Sequence, residues 1–294
     1  MKASLKKFLV QTSAGRLLLV PVRMHRALGY FWPGVKKAIR WTFVSREIVN
    51  YTYDLTEANL SSLAHTVSVV TGVDPSQARG YMDELLTDDS LQRHVLQRTT
   101  LSGMKHSSDS AFRAGRRVGW YAFVRVLKPR LVVETGVERG HGAVVICSAL
   151  MRNRREGYDG RYVGTDIDPN AGFLLTKPYS ECGEILYGDS IESLKGLSNV
   201  DLFINDSDHS TEYEYAEYLT VADKLTPRAL ILGDNAHVSD SLRRFSETRH
   251  RSFLFFQEEP KEHWYPGAGI GISFPGPAES ASAFHAVTSE KVSR

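Results

Sequence analysis

Hydrophobic and polar positions divide the chain near residue 130. Upstream, apolar residues recur at helical spacing. Leu55, Leu60, Leu63, Ala64, Val67 and Val70 form one such series, and Ala78, Met82, Leu85 and Leu86 another. VGWYAFVRVL (118–127) predicts a third helix, stopped by Pro129. The tract GMKHSSDS (103–110) is polar and reads as a loop, a candidate lid. Downstream, short β-branched runs alternate with helix-length segments: LVVE (131–134), YVGTD (162–166), EILYGD (184–189), DLFIND (201–206) and ALILGD (229–234). That alternation predicts βαβ units and a mainly parallel sheet. SFLFFQ (252–257) and GIGISF (269–274) are joined by EEPKEHWYPGA, which carries no helical pattern. They predict an antiparallel hairpin at the sheet edge. The expected fold class is α/β, a Rossmann-like seven-stranded sheet preceded by a helical region.

Each of five successive predicted strands ends in a carboxylate: Glu134, Asp166, Asp189, Asp206 and Asp234. In an open α/β sheet the ligand lies outside the carboxyl ends of the strands. Five unpaired acids there would repel one another, so hydroxyls, a cationic ligand or a metal are expected among them. Between the first strand and its helix, ETGVERGHG sets Gly136, Gly140 and Gly142 where backbone N–H groups can approach a ligand. The spacing is not the G-x-G-x-x-G of dinucleotide binding, which disfavours an NAD-dependent oxidoreductase. No G-K-[ST] follows, which excludes a P-loop.

Composition adds a charge asymmetry. Residues 1–46 hold ten of the 36 Lys and Arg and no acid, so the remainder sets 26 bases against all 34 acids, a net of −8. This basic leader carries Phe8, Tyr30, Phe31, Trp32, Trp41 and Phe43. Its run LLLVPV (17–22) is too short to span a bilayer, and no signal-peptide cleavage site follows. Either the aromatics pack on the protein or the leader makes peripheral contact with an anionic membrane. The acidic body argues against nucleic acid as a partner. Cys147 and Cys182 cannot make a disulfide framework, and a cytoplasmic location follows. The expected organisation is the leader (1–46), a helical N-terminal region (47–115), a ligand-binding α/β domain (116–275) and a flexible tail (276–294).

In order, the E-x-G-x-x-x-G loop, the GTDID strand end, the GDS turn and the closing hairpin resemble the class I S-adenosylmethionine-dependent methyltransferases over roughly residues 115–275. The resemblance implies that Glu134, Gly136 and Gly140 hold the methionine part, Asp166 the ribose, with Asp168 as the alternative, and Asp189 the adenine. INDSDHS (204–210) and LILGDNAH (230–237) resemble the metal-dependent O-methyltransferases of catechol and macrolide-sugar type. By that resemblance Asp206, Asp234 and Asn235 hold a divalent metal, for which an oxygen-only set suits Mg²⁺. The base is His209 by one pattern and His237 by the other. His141 reads as a spacer in the glycine loop.

Thr211 and Glu214 fit a capping box, and Tyr215, Tyr218, Leu219, Ala222 and Leu225 a helix after INDSDHS. His263, Trp264 and Tyr265 are candidates for an acceptor wall. The expected activity is O-methyl transfer to a small-molecule or glycan acceptor, a hydroxyl of a sugar, glycolipid, polysaccharide or natural product. The alternatives are a metal-independent methyltransferase with a histidine base and a non-catalytic binding protein on the same fold.

Overall fold

The computed structural model describes residues 2–48, 52–109 and 111–276, with side chains from residue 7. The expected tail is outside the described residues from 277 onward, as is Ser110 of the candidate lid. The chain forms two compact units. One runs to Ser45 and includes Glu262–Pro266; the other is Arg46–Lys261 with the chain from Gly267 on.

The first unit is helical: α1 (Lys2–Gln11), α2 (Ser13–Leu18) and α3 (Val20–Val44). Thr12 caps α2 by accepting the Gly15 N–H, and Pro21 sits in the first turn of α3, where its missing N–H costs nothing. Trp41 packs edge-on against His263 and Trp264, with ring centroids 6.3 and 5.4 Å away. The three residues read as an acceptor wall thus belong to this unit.

The second unit opens with α4 (Glu57–Thr71), α5 (Pro75–Leu86), α6 (Asp89–Leu101) and, after a 3₁₀ turn at Gly103–His106, α7 (Arg117–Leu127). Thr56, Asp74 and Asp88 cap the first three of these, as short polar side chains do where N–H groups lack partners. Buried Arg125 ties α7 to its neighbours through Glu84, Asn153 and Glu156.

The sheet follows as β1 (Leu131–Thr135), α8 (His141–Arg155), β2 (Arg161–Asp166), β3 (Gly183–Tyr187), α9 (Ser190–Lys195), β4 (Val200–Asn205), α10 (Thr211–Ala222), β5 (Leu225–Asp234), α11 (Ser241–Thr248), β6 (Ser252–Gln257) and β7 (Gly269–Phe274). The strand order is β3-β2-β1-β4-β5-β7-β6. Strands β1 to β5 are parallel and β7 runs antiparallel to both β5 and β6, so the fold is the expected one. Val133, Phe203, Ile231, Tyr218 and Phe245 are fully or almost fully buried between the sheet and α10 and α11, where each large apolar side chain contributes ~2 kcal/mol.

Two local expectations are corrected. Leu225 opens β5 and does not belong to α10. The N-cap of α10 is Ser210, whose side chain makes no capping bond, and Thr211 is already inside the helix. Glu214 does not reach back to it: its carboxylate is buried and accepts from Tyr218 and Ser239.

The N-terminal segment of this unit is stitched to the far end of the hairpin. Leu55 bridges Pro260, Thr56 N–H donates to the Glu259 carbonyl, and the Asn59 side chain bonds Gln257 and Glu259.

Candidate active site

The glycine loop leaves β1 through Gly136 (φ 82°) and reaches α8 at Gly140 (φ 93°). A Cβ on Gly136 would stand 2.0 Å from the Asp206 carbonyl oxygen, so only glycine lets the chain pass over the end of β4. Gly136 N–H donates to the Thr165 carbonyl and Asp206 N–H to that of Thr135, both at 2.9 Å. Gly140 is the N-cap of α8 and offers no side chain to its first turn, which leaves N–H groups there for a ligand.

Glu134 lies beneath this loop, 1% exposed, and accepts the Tyr162 hydroxyl at 2.5 Å. Burial pushes its carboxyl up to about 7. Its place is that of a support under the loop, and Gly142 has no space for a Cβ against it. His141 is also buried, and burial lowers it to about 3.

Asp166 closes β2 with its carboxylate held by two backbone donors, Asp168 N–H and Glu138 N–H, both at 2.8 Å. It is partly exposed, with lone pairs remaining for a diol. Asp168 is exposed and engaged in its own turn with Asn170. Asp189 falls two residues beyond β3 and caps α9. It accepts Glu192 N–H and the Tyr213 hydroxyl, each at 3.0 Å, and the backbone bond is the main reason its pKa lies below the usual carboxylate range. Glu217, fully buried, gathers Ser190, Asn205 and Ser207 on one carboxylate. It thereby fixes the ends of β3 and β4 relative to each other.

The ends of β4 and β5 bring Asp206, Asp234, Asn235 and His209 together. Ligand atoms of Asp206, His209 and Asp234 lie within 4.8 Å of one another. His209 Nε2 is 3.9 Å from Asp206 Oδ1 and 3.0 Å from the Asn235 amide nitrogen. An amide donating to Nε2 puts the ring proton on Nδ1, which is buried without a hydrogen-bond partner. Asn235 adopts φ 51°; beyond it the chain turns outward, and His237 is exposed, 6.4 Å from the Phe255 ring. The structure therefore joins His209 to the acids and leaves His237 apart. Asp208 is exposed and accepts Ser210 N–H.

A cation already sits on this acid pair, and it is one that sequence reasoning missed. The Arg116 guanidinium contacts Asp234 through Nε and lies 3.5 Å from Asp206 through Nη2. It stacks 5.7 Å from the Trp120 ring. Burial opposes its charge, but Asp234, Asp206 and Glu258, with Tyr53, together outweigh burial and hold it protonated. Asp206 itself is pushed well above the usual carboxylate range, first by burial and then by Asp234. Glu258, which accepts the Tyr53 hydroxyl at 2.6 Å, adds a third buried acid whose charge Arg116 offsets. The only signal in the sequence was the excess of strand-end acids, which demanded a cation of some kind.

The donor set fits a divalent cation in kind, two hard carboxylates with an amide and an imidazole beside them. Its charge is already balanced in part by Arg116, so a metal would have to share the pair with the guanidinium or displace it.

Residues 133–236 match the family model described as a methyltransferase domain. The match takes in the glycine loop, the strand-end acids, His209 and Asn235, and excludes Arg116 and the hairpin. No curated protein matches the chain. Among solved structures, the O-methyltransferase TomG of Streptomyces achromogenes, involved in tomaymycin synthesis and in complex with S-adenosylmethionine, is 18% identical. The alignment covers 64% of this chain and 90% of that one, with a TM-score of 0.48. An O-methyltransferase from Bacillus cereus in complex with S-adenosylhomocysteine is 16% identical over 74% and 99%, TM-score 0.45. A caffeoyl-CoA O-methyltransferase assignment from Staphylococcus aureus is 12% identical over 69% and 100%, TM-score 0.49. The matched segment, 133–236, runs from β1 to the end of β5 and so takes in all five parallel strands of the sheet.

Proposed function

We propose that the chain transfers a methyl group to a hydroxyl oxygen, with His209 as the base. The observation that carries this is the seating of the His209 ring among Asp206, Asp234 and Asn235, on a loop that Gly136 joins to the cofactor side. S-adenosylmethionine supplies the methyl carbon on a sulfonium, which leaves as neutral S-adenosylhomocysteine. His209 Nε2, on exchanging the Asn235 amide for the acceptor, takes the hydroxyl proton as the oxygen forms its bond to that carbon. Asp166 holds the ribose and Asp189 the adenine side, while the carboxylates of the acid pair suit a site that receives positive charge. The site contributes mainly position, since the leaving group needs only in-line approach. A divalent cation held by Asp206, Asp234 and Asn235 would lower the pKa of the acceptor hydroxyl. Acceptors with neighbouring hydroxyls, in a sugar, glycolipid, polysaccharide or natural product, suit such a site.

Arg116 favours a second reading, in which the guanidinium is the fixed cation and no metal is needed. Thermal unfolding with S-adenosylhomocysteine, with NAD or with neither, each in Mg²⁺ and in EDTA, tests both. Saturation near 100 times the dissociation constant stabilises by ~2.7 kcal/mol. No shift with S-adenosylhomocysteine overturns the methyltransferase reading. A shift that is equal in Mg²⁺ and EDTA selects the Arg116 reading. Once methyl transfer to a polyol acceptor is seen, His209→Ala should lower kcat ~100-fold or more, and His237→Ala should change it little. The reverse order would transfer the base to His237.

A further inference from the structure

The longest helix among the described residues has an apolar face that none of them buries. Helix α3 runs 25 residues and buries none of them. Val20, Met24, Leu28, Phe31, Val35 and Ile39 recur every three or four positions and fall on one side, between 42% and 64% exposed. The opposite side carries Arg23, Arg26, Lys36, Lys37 and Arg40. Trp41, which packs on His263 and Trp264, projects about 120° away from the apolar stripe, so that contact leaves the stripe open.

We propose that α3 is an in-plane anchor that lays this stripe into the headgroup region of an anionic bilayer. Charge decides the occupant. Ten bases and no acid in residues 1–46 would repel a second copy of the same helix, whereas they complement anionic lipid. A nucleic acid would use the bases but leave the apolar stripe in water. Five basic residues and a histidine make the helix too polar to span, and no helix among the described residues is long and apolar enough to cross a membrane. An amphipathic helix with a basic face and aromatic residues binds at the interface instead, with its apolar face a few ångströms below the headgroups. Trp32 and Phe43 flank the stripe and suit that depth.

The test is flotation of the full-length chain with vesicles of phosphatidylcholine alone and of phosphatidylcholine mixed with phosphatidylglycerol, at low and high salt. Binding to the mixed vesicles is expected, weakened by salt and far weaker on phosphatidylcholine alone. Phe31→Asp with Val35→Asp should reduce it at least about 10-fold. Lys36→Gln, Lys37→Gln and Arg40→Gln together should reduce it about 100-fold, at roughly fivefold per lost base. Because none of these side chains is buried, the unfolding transition and its response to S-adenosylhomocysteine should stay unchanged, which separates loss of binding from loss of fold. No flotation with mixed vesicles overturns the proposal. So does flotation that survives the two aspartates, or tighter binding to a duplex oligonucleotide that displaces the vesicles.

Discussion

Arg116 sets the electrostatics of the site, because it is the fixed cation on buried Asp234 and half-buried Asp206. Arg116→Gln strands that charge and should cost ~3–5 kcal/mol in urea unfolding at neutral pH. If the acids then recruit a cation, Mg²⁺ should stabilise the variant more than the parent protein. Glu134 makes a prediction of the opposite kind. With its carboxyl pushed up from 4.5 to about 7, the folded chain keeps a proton there that the unfolded chain releases. Stability from this group is therefore lost as pH rises from about 4.5 to 7, by up to ~3 kcal/mol. Urea titrations across that window should show a shallower decline for Glu134→Gln than for the parent. Asp206, Asp234, Asn235 and His209 were legible as a cluster, because each lies within a few residues of an apolar run. Arg116 was not, since Arg113, Arg116 and Arg117 look alike in sequence. Arg117 is buried too, and only the packing at the start of α7 decides that Arg116 is the one on the acid pair. Which histidine sits beside the acids was equally hidden, because it depends on the left-handed turn at Asn235.

Among the elements, the strands were the clearest, since short β-branched runs bounded by turn residues leave little choice of structure. The errors came where local patterns met tertiary demands. The apolar period of α10 carries on to Leu225, yet that residue is captured by β4 at Val200. The capping box failed because Glu214 is drawn inward to Tyr218 and Ser239. Gly136 links the sheet to its ligand edge, and Gly136→Ala should cost at least ~2 kcal/mol through its positive φ alone. The Cβ would also collide with the Asp206 carbonyl, so the variant should lose most of its stabilisation by S-adenosylhomocysteine, measured in the same unfolding scan.

Over the whole molecule, charge is divided between a basic leader and a body of net charge −8. The segment that matches a methyltransferase domain, with the proposed cofactor residues, lies in the second unit. A chain beginning at Arg46 should therefore still gain ~2.7 kcal/mol at saturating S-adenosylhomocysteine; calorimetry that finds no gain would place part of the cofactor site in the leader. The packing of Trp41 on a loop more than 200 residues away was invisible to any local pattern. The close approach of Gly136 to Asp206, with the Asp206 N–H bonded to Thr135, makes the two loops one mechanical piece. Two ligands seated on one such piece obey a reciprocity. If S-adenosylhomocysteine tightens an acceptor tenfold, the acceptor must tighten S-adenosylhomocysteine tenfold. An unknown acceptor would thus announce itself as a change in the affinity of a known ligand, before any product is made.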